Sequence, residues 1–95
     1  MERFRLGEHA YVRVLNYDTN GALIDCDTGY PTLTVYDPAE RTILSATTMT
    51  KSDTGDYYYE PALTDSPSPK GSWRWDAEHR TNGSITHSEG AFEVV

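Results

Sequence analysis

The chain carries one cysteine, Cys26, in 95 residues. A lone thiol excludes an intrachain disulfide, so the core must hold without a covalent staple. Basic residues are scarce: eight Lys and Arg stand against 15 Asp and Glu, a formal net charge of −7. Nucleic-acid binding needs a basic stripe to displace counterions, and no such stripe occurs. An acidic surface keeps a small domain soluble and also suits a salt-rich habitat. Long apolar runs are missing as well. No segment approaches the roughly 20 residues of a membrane span. The N-terminus MERFRLGEHAYVRV lacks the apolar stretch of a secretory signal. The expectation is a soluble chain that is not exported by that route. Helical signals are equally thin, with no window repeating apolar residues every ~3.6 positions.

What remains is β-forming. Hydrophobic residues are 37% and aromatics 12%, enough for one modest core that leans on large rings. Phe4 and Leu6 share a face of a short first strand that Gly7 ends. His9 to Tyr17 reads as a second strand, with Ala10, Val12 and Val14 on the core face and Arg13 on the other. Asp18-Thr19-Asn20-Gly21 is a turn in which Asn-Gly suits a two-residue hairpin. Thr32 to Tyr36 alternates again, with Leu33 and Val35 opposite Thr34 and Tyr36, and Asp37-Pro38 turns the chain. Arg41 to Met49 is Thr-rich with two competing parities: Ile43 with Met49, or Leu44 with Ala46. Thr64 to Gly71 is a loop by composition.

The last third admits a register test. If Asn82-Gly83 is a two-residue turn, paired residues sum to 165, so Trp73 faces Phe92, Trp75 faces Gly90 and Glu78 faces His87. Trp73, Trp75, Phe92 and Val94 then share the core face, with Arg74, Asp76, Glu89 and Glu93 on the solvated one. A slip of one residue would scramble this sorting. With Tyr57 and Val12, these rings form the expected core.

Asp53-Thr54-Gly55-Asp56-Tyr57-Tyr58-Tyr59 is the most specific stretch, a strongly β-forming run directly after a turn. Its D-x-G-x-Y-x-Y spacing resembles the tyrosine corner of immunoglobulin-like sandwiches, in which a Tyr hydroxyl bonds back to nearby backbone. Tyr59 stands where antibody domains place a cysteine. The pattern fits an all-β fold, a single immunoglobulin-like β-sandwich domain over residues 1–95 with about seven antiparallel strands; a five-stranded barrel is the alternative.

Residues with site chemistry are sparse. His9, His79 and His87 have no partner at metal-ligand spacing, and they read as solvated edge residues. Asp18, Asp25, Asp27, Asp53 and Asp56 form no EF-hand-type loop and sit where turns place aspartate. Cys26 lies between two aspartates that raise its pKa, the opposite of an activated thiol. Neither a nucleophile elbow nor a phosphate-cradling loop occurs. The expectations are no catalytic residues, no cofactor and no metal. Tyr11, Tyr36 and Tyr58 are candidates for rings outside the core.

Taken together, Arg3-Phe4-x-Leu6-Gly7-Glu8, Asn20-Gly21-Ala22-Leu23, Val35-Tyr36-Asp37-Pro38, Gly55-x-Tyr57-x-Tyr59, Gly71-Ser72-Trp73-Arg74-Trp75 and Glu89-Gly90-x-Phe92-Glu93-Val94 cover nearly the whole chain. In this pattern it resembles small immunoglobulin-like proteins that tailed bacterial and archaeal viruses encode among their virion genes. A domain with its own Met1, no signal peptide and no flanking repeats agrees with that origin. The resemblance implies a non-enzymatic structural protein of the neck, tail or capsid surface. It would be made in the host cytoplasm, built into the virion in symmetric copies, and partnered by itself and other virion proteins. The candidate interaction surface comprises Tyr36, Tyr58, Phe4, Arg3, Arg5 and Val95. The first strand and the final Ala91–Val95 strand are expected at sheet edges, and close packing of copies that each carry −7 would need salt, a basic partner, or Arg3, Arg5, Arg13 and Arg41 facing neighbouring acids. A carbohydrate- or surface-binding module using exposed Tyr and Trp is the second reading, and a cytosolic interaction domain the third. Neither membrane nor nucleic acid enters any of them.

Overall fold

Alternating apolar and polar side chains sort the chain into eight strands, in a computed structural model that describes residues 2–63 and 70–95. They are β1 (Arg3–Phe4), β2 (Val12–Leu15), β3 (Thr32–Tyr36), β4 (Thr42–Thr48), β5 (Thr50–Asp53), β6 (Asp56–Tyr59), β7 (Gly71–Thr81) and β8 (Ser84–Val94). No helix occurs among the described residues. One sheet has the order β1-β8-β7-β3-β4 and the other β2-β6-β5. Their inner faces form a β-sandwich, with Val12, Val14 and Tyr57 from the smaller sheet and Leu33, Val35, Trp73, Ala77, Phe92 and Val94 from the larger in one buried cluster. Trp73 is 1% exposed and packs its ring on Phe92 at 6.0 Å between centroids. Trp75, on the same face, is half-buried against the cluster.

The β7–β8 hairpin has the expected register from end to end, Trp73 opposite Phe92 and Thr81 opposite Ser84. Asn82 and Gly83 both adopt positive φ, as the two-residue hairpin turn requires. At ~3.3 Å per residue, these two strands account for most of the molecule's 40 Å long axis.

Several expectations need correction. There are eight strands, since Thr50–Asp53 forms a short one of its own, and β1 runs parallel to β8 rather than antiparallel. The turn after β2 has three residues. Asp18 pairs with Ala22 across it, and Gly21 takes the left-handed position. The parity of Thr42–Thr48 has no single answer, because the β3–β4 register shifts twice. These bulges bring the adjacent residues Ile43 and Leu44 both into contact with the core. Asp53 to Tyr59 is not a tyrosine corner. Gly55 turns β5 back onto β6 within one sheet, and the Tyr57 hydroxyl accepts the Cys26 N–H, 31 residues earlier. Thr64 to Pro69 of the expected loop lie outside the described residues.

A three-residue clasp ties the two sheets. Asp25 accepts the Gly55 N–H at 2.9 Å and the Lys51 ammonium at 2.7 Å, holding the β5–β6 turn. Cys26 donates to Tyr57. The Asp27 carboxylate accepts the N–H groups of Asn82 and Gly83 at 2.8 and 3.0 Å, holding the β7–β8 turn, while its own N–H donates to Arg80. These bonds hold both carboxyls below the usual carboxylate range: chiefly the Lys51 bond for Asp25, and the Gly83 and Asn82 amides for Asp27. Burial, more than the flanking aspartates, pushes the Cys26 thiol up.

Candidate functional site

Strand parity distributes the candidate surface residues over three places. Tyr36 ends β3 on the outer face of the larger sheet. The Arg74 guanidinium covers its ring at 3.9 Å and bonds Glu40 at 2.7 Å. Tyr58 lies on the outer face of the smaller sheet, stacked on Tyr11 with centroids 5.8 Å apart and planes at 19°. Beside that ring pair, Arg13 donates two bonds to Asp56 at 3.0 and 2.8 Å, which holds the Asp56 carboxyl low. Phe4, Arg3, Arg5 and Val95 gather where β1 meets β8. Phe4 is half-buried and packs edge-on to Phe92 at 5.5 Å. Arg3 lies 3.7 Å from Glu93, the Arg5 N–H donates to Glu8, and Val95 is exposed.

The first strand forms a sheet edge as expected, whereas the final strand does not. The final strand is covered at Glu93 and Val94 by β1, and the outermost strands are β1, β4, β2 and β5. β8 is open on that side only upstream of Glu93. Of the four arginines named above, Arg3, Arg13 and Arg41 have acidic partners within the chain. Arg3, Arg13, Arg41, Lys51, Arg74 and Arg80 all have acidic partners within the chain, six of the eight Lys and Arg residues.

A cleft of about 390 Å³ opens beside that edge, between the two sheets. Glu2, Trp75, Gly90, Ala91 and Phe92 line one wall, and Tyr11 with Val12 and Arg13 of β2 the other. Gly90 gives it depth. A Cβ there would come within 2.4 Å of the Trp75 indole, which rests directly on the glycine backbone.

Sequence reasoning missed a buried polar chain. His79 is 3% exposed, not solvated. Asn16 donates to the Ile24 carbonyl and the Thr81 hydroxyl, so its side-chain oxygen accepts from His79 Nδ1 at 3.1 Å. His79 Nε2 then accepts from the Ser88 hydroxyl at 2.8 Å. Burial, with the neighbouring His87, lowers the His79 pKa and keeps the ring neutral. The signal was parity: Asn16 continues Ala10, Val12 and Val14, and His79 continues Trp73, Trp75 and Ala77. The order Ser–His–Asn is that of a nucleophile, base and orienting group. Ser88, however, sits mid-ladder opposite Ala77 rather than on a strained turn. The cleft bounded by Asn16, Tyr17, Ile24, Thr81 and Thr86 reaches the Asn16 end of the chain and not Ser88. What these bonds accomplish is satisfaction: among the described residues no buried side-chain polar atom lacks a partner.

His9 bonds the Glu60 carbonyl, and His87 lies 3.3 Å from Asp76 and 3.8 Å from Glu78. Among the described residues no three His, Cys, Asp or Glu side chains converge as a metal site. Comparison with known protein families, characterised proteins and solved structures finds no match.

Proposed function

We propose that the chain is an immunoglobulin-like sandwich acting without catalysis as a structural subunit of a tailed-virus particle, at its neck, tail or capsid surface. The observation that carries this reading is the strand order. The orders β2-β6-β5 and β8-β7-β3-β4 support this reading if β2, β6 and β5 are taken as B, E and D, and β3, β4, β7 and β8 as C, C′, F and G. β1 pairing in parallel with the last strand supports the same assignment. The sequence resemblance supplies the particle. Open strand edges, with the buried side-chain polar atoms of the described residues satisfied internally, support a role in assembly. Mass-spectrometric inventory of purified particles from the source tests it: the expected result is this chain at stoichiometric level, and its absence from particles refutes the reading.

A second reading has one observation in its favour. The stacked Tyr11–Tyr58 pair beside the Arg13–Asp56 pair offers a flat ring surface with polar neighbours, the chemistry of a sugar platform. Tyr36 is less suited, since Arg74 covers one face of its ring. Retention on a glycan array that Tyr58→Ala abolishes would favour this alternative.

A further inference from the structure

At the end of β8, the N–H groups of Glu93 and of Val95 just beyond it donate to the carbonyls of Glu2 and Phe4 in the first strand region. Backbone groups two residues apart point the same way in a strand. The N–H and C=O groups of Ile85, His87, Glu89 and Ala91 therefore face the same side, where the ladder with β1 has ended. They meet no protein partner among the described residues. The opposite side of β8 is fully occupied by β7 in an unbroken register. By contrast the β4 edge is blunted by two bulges and a positive φ at Ala46, and β5 is only four residues long.

Two further features lie along this open segment. On its inner side is the cleft over Trp75 and Gly90, walled by Val12 and Phe92 and large enough for a bulky apolar side chain. On its outer side Asp76 stands directly opposite Glu89, and Glu78 directly opposite His87. Among the described residues no Lys or Arg forms an ion pair with Asp76, Glu78 or Glu89: Arg80 holds Asp27, and Arg74, held chiefly by Glu40, reaches Glu89 only as a weaker attraction. Like charges facing each other across a strand pair are destabilising.

We propose that the Ile85–Ala91 edge of β8 receives an extended strand of another protein, continuing the line of β1. The added strand bonds the outward backbone groups, places an apolar side chain in the cleft on Trp75, and presents Lys or Arg to Glu89 and Asp76. This is β-strand addition, in which backbone bonds supply affinity and alternate side chains supply specificity. A second copy is disfavoured as the occupant, since each copy carries −7. The inference rests on the assembly reading for its biological setting, but its test does not.

The test uses the whole chain and a short capped peptide of alternating Lys and Val. Amide hydrogen exchange should slow by more than about tenfold at Ile85, His87, Glu89 and Ala91 on peptide addition, with little change at β4 and β5. Trp75 emission should shift while buried Trp73 stays constant. His87→Pro removes one outward N–H and leaves every carboxylate in place, so it should weaken binding at least tenfold. Glu89→Lys should do the same through charge, and serves alone if the proline variant does not fold. Absence of slowing at these four amides overturns the proposal, as does slowing at β4 or β5 instead, or equal binding of a Glu-Val peptide. Protection of the same amides without peptide, rising with protein concentration, would make a second copy the occupant and overturn the basic partner. Absence of the chain from particles would remove the proposed function and leave a positive peptide result intact.

Discussion

Gly55→Ala isolates the contact at which the β5–β6 turn meets the backbone of Asn16 and Ile24. Gly55 adopts φ +63, and an added Cβ would lie 2.8 Å from the Asn16 carbonyl oxygen and 2.8 Å from the Ile24 nitrogen. Both are backbone atoms held by mutual bonds, since Asn16 N–H donates to Gly55 and Ile24 N–H donates to Asn16. Neither can swing aside as a side-chain tip would. The left-handed conformation costs a residue with a Cβ about 1–2 kcal/mol. Forcing a methyl into a packed site adds about 1–3 kcal/mol. The sum, about 2–5 kcal/mol, is a large share of the 5–15 kcal/mol typical of a domain. Gly21→Ala and Gly83→Ala are the matched controls: their φ values are both +83, and nothing lies within 4 Å of the added Cβ. They carry only the conformational cost, partly offset by a stiffer unfolded chain. Urea unfolding followed by tryptophan emission should place Gly55→Ala about 1–3 kcal/mol below either control. If it unfolds within about 0.5 kcal/mol of Gly83→Ala, the convergence at Gly55 is not what limits stability, and the reasoning fails.

Trp73→Ala empties the centre of the core and should cost about 3–5 kcal/mol by the same assay, close to unfolding the domain. Tyr57→Phe leaves the Cys26 N–H without its acceptor and should cost about 1–2 kcal/mol, with the ring still packed. His79 has its folded pKa lowered from the ordinary 6.5, so its contribution is full above that value and is lost as pH falls through the lower folded value. The urea midpoint should therefore drop as pH falls below the ordinary 6.5, and His79→Gln should flatten that slope. The lowered carboxyls Asp25, Asp27 and Asp56 add a separate loss only as pH falls below their ordinary 3.8. A chelator should leave the melting temperature unchanged; a fall of several degrees would mean that the aspartate turns hold a cation.

What could be read from the sequence was whatever local periodicity and turn chemistry determine together. The β7–β8 register followed from one Asn-Gly turn and the facing of Trp73 with Phe92, since no other alignment sorts rings from charges. Leu33 and Val35, and the Ala10, Val12 and Val14 face, followed from alternation alone. Bulges defeated the same logic in β4, because an extra residue resets parity and leaves Ile43 and Leu44 equally eligible. Asp53 to Tyr59 was misread for a different reason. The motif announces a turn followed by a strand but not which sheet the preceding segment joins, and that is fixed by pairing with Thr50–Asp53. Parity did point Asn16 and His79 inward. Their polarity argued against burial, and only the mutual bonds with Ser88 and Thr81 resolve the conflict. The covered end of β8 depended on a parallel pairing between Arg3 and Glu93, ninety positions apart in sequence, which no local pattern reveals.

The acidity of the chain has a structural distribution that bears on assembly. Asp18, Asp25, Asp27 and Asp37 all accept backbone N–H groups of turns, which explains why aspartates cluster in turns without converging on a common point. Asp25, Asp27, Asp37, Asp56, Glu40 and Glu93 also meet the six internally paired cations. Subtracting these pairs leaves the excess charge uneven, with Asp76, Glu78 and Glu89 together on the outer face of the β7–β8 hairpin, where His87 lies between them and the flanking Arg74 and Arg80 are held by Glu40 and Asp27. That face adjoins the segment of β8 where the backbone ladder stops. Exposed backbone groups invite any strand, whereas the carboxylates beside them repel another copy of this chain and attract a basic one. The combination selects among partners by charge while leaving affinity to backbone bonds, so salt should weaken docking at this edge without altering the stability of the sandwich behind it.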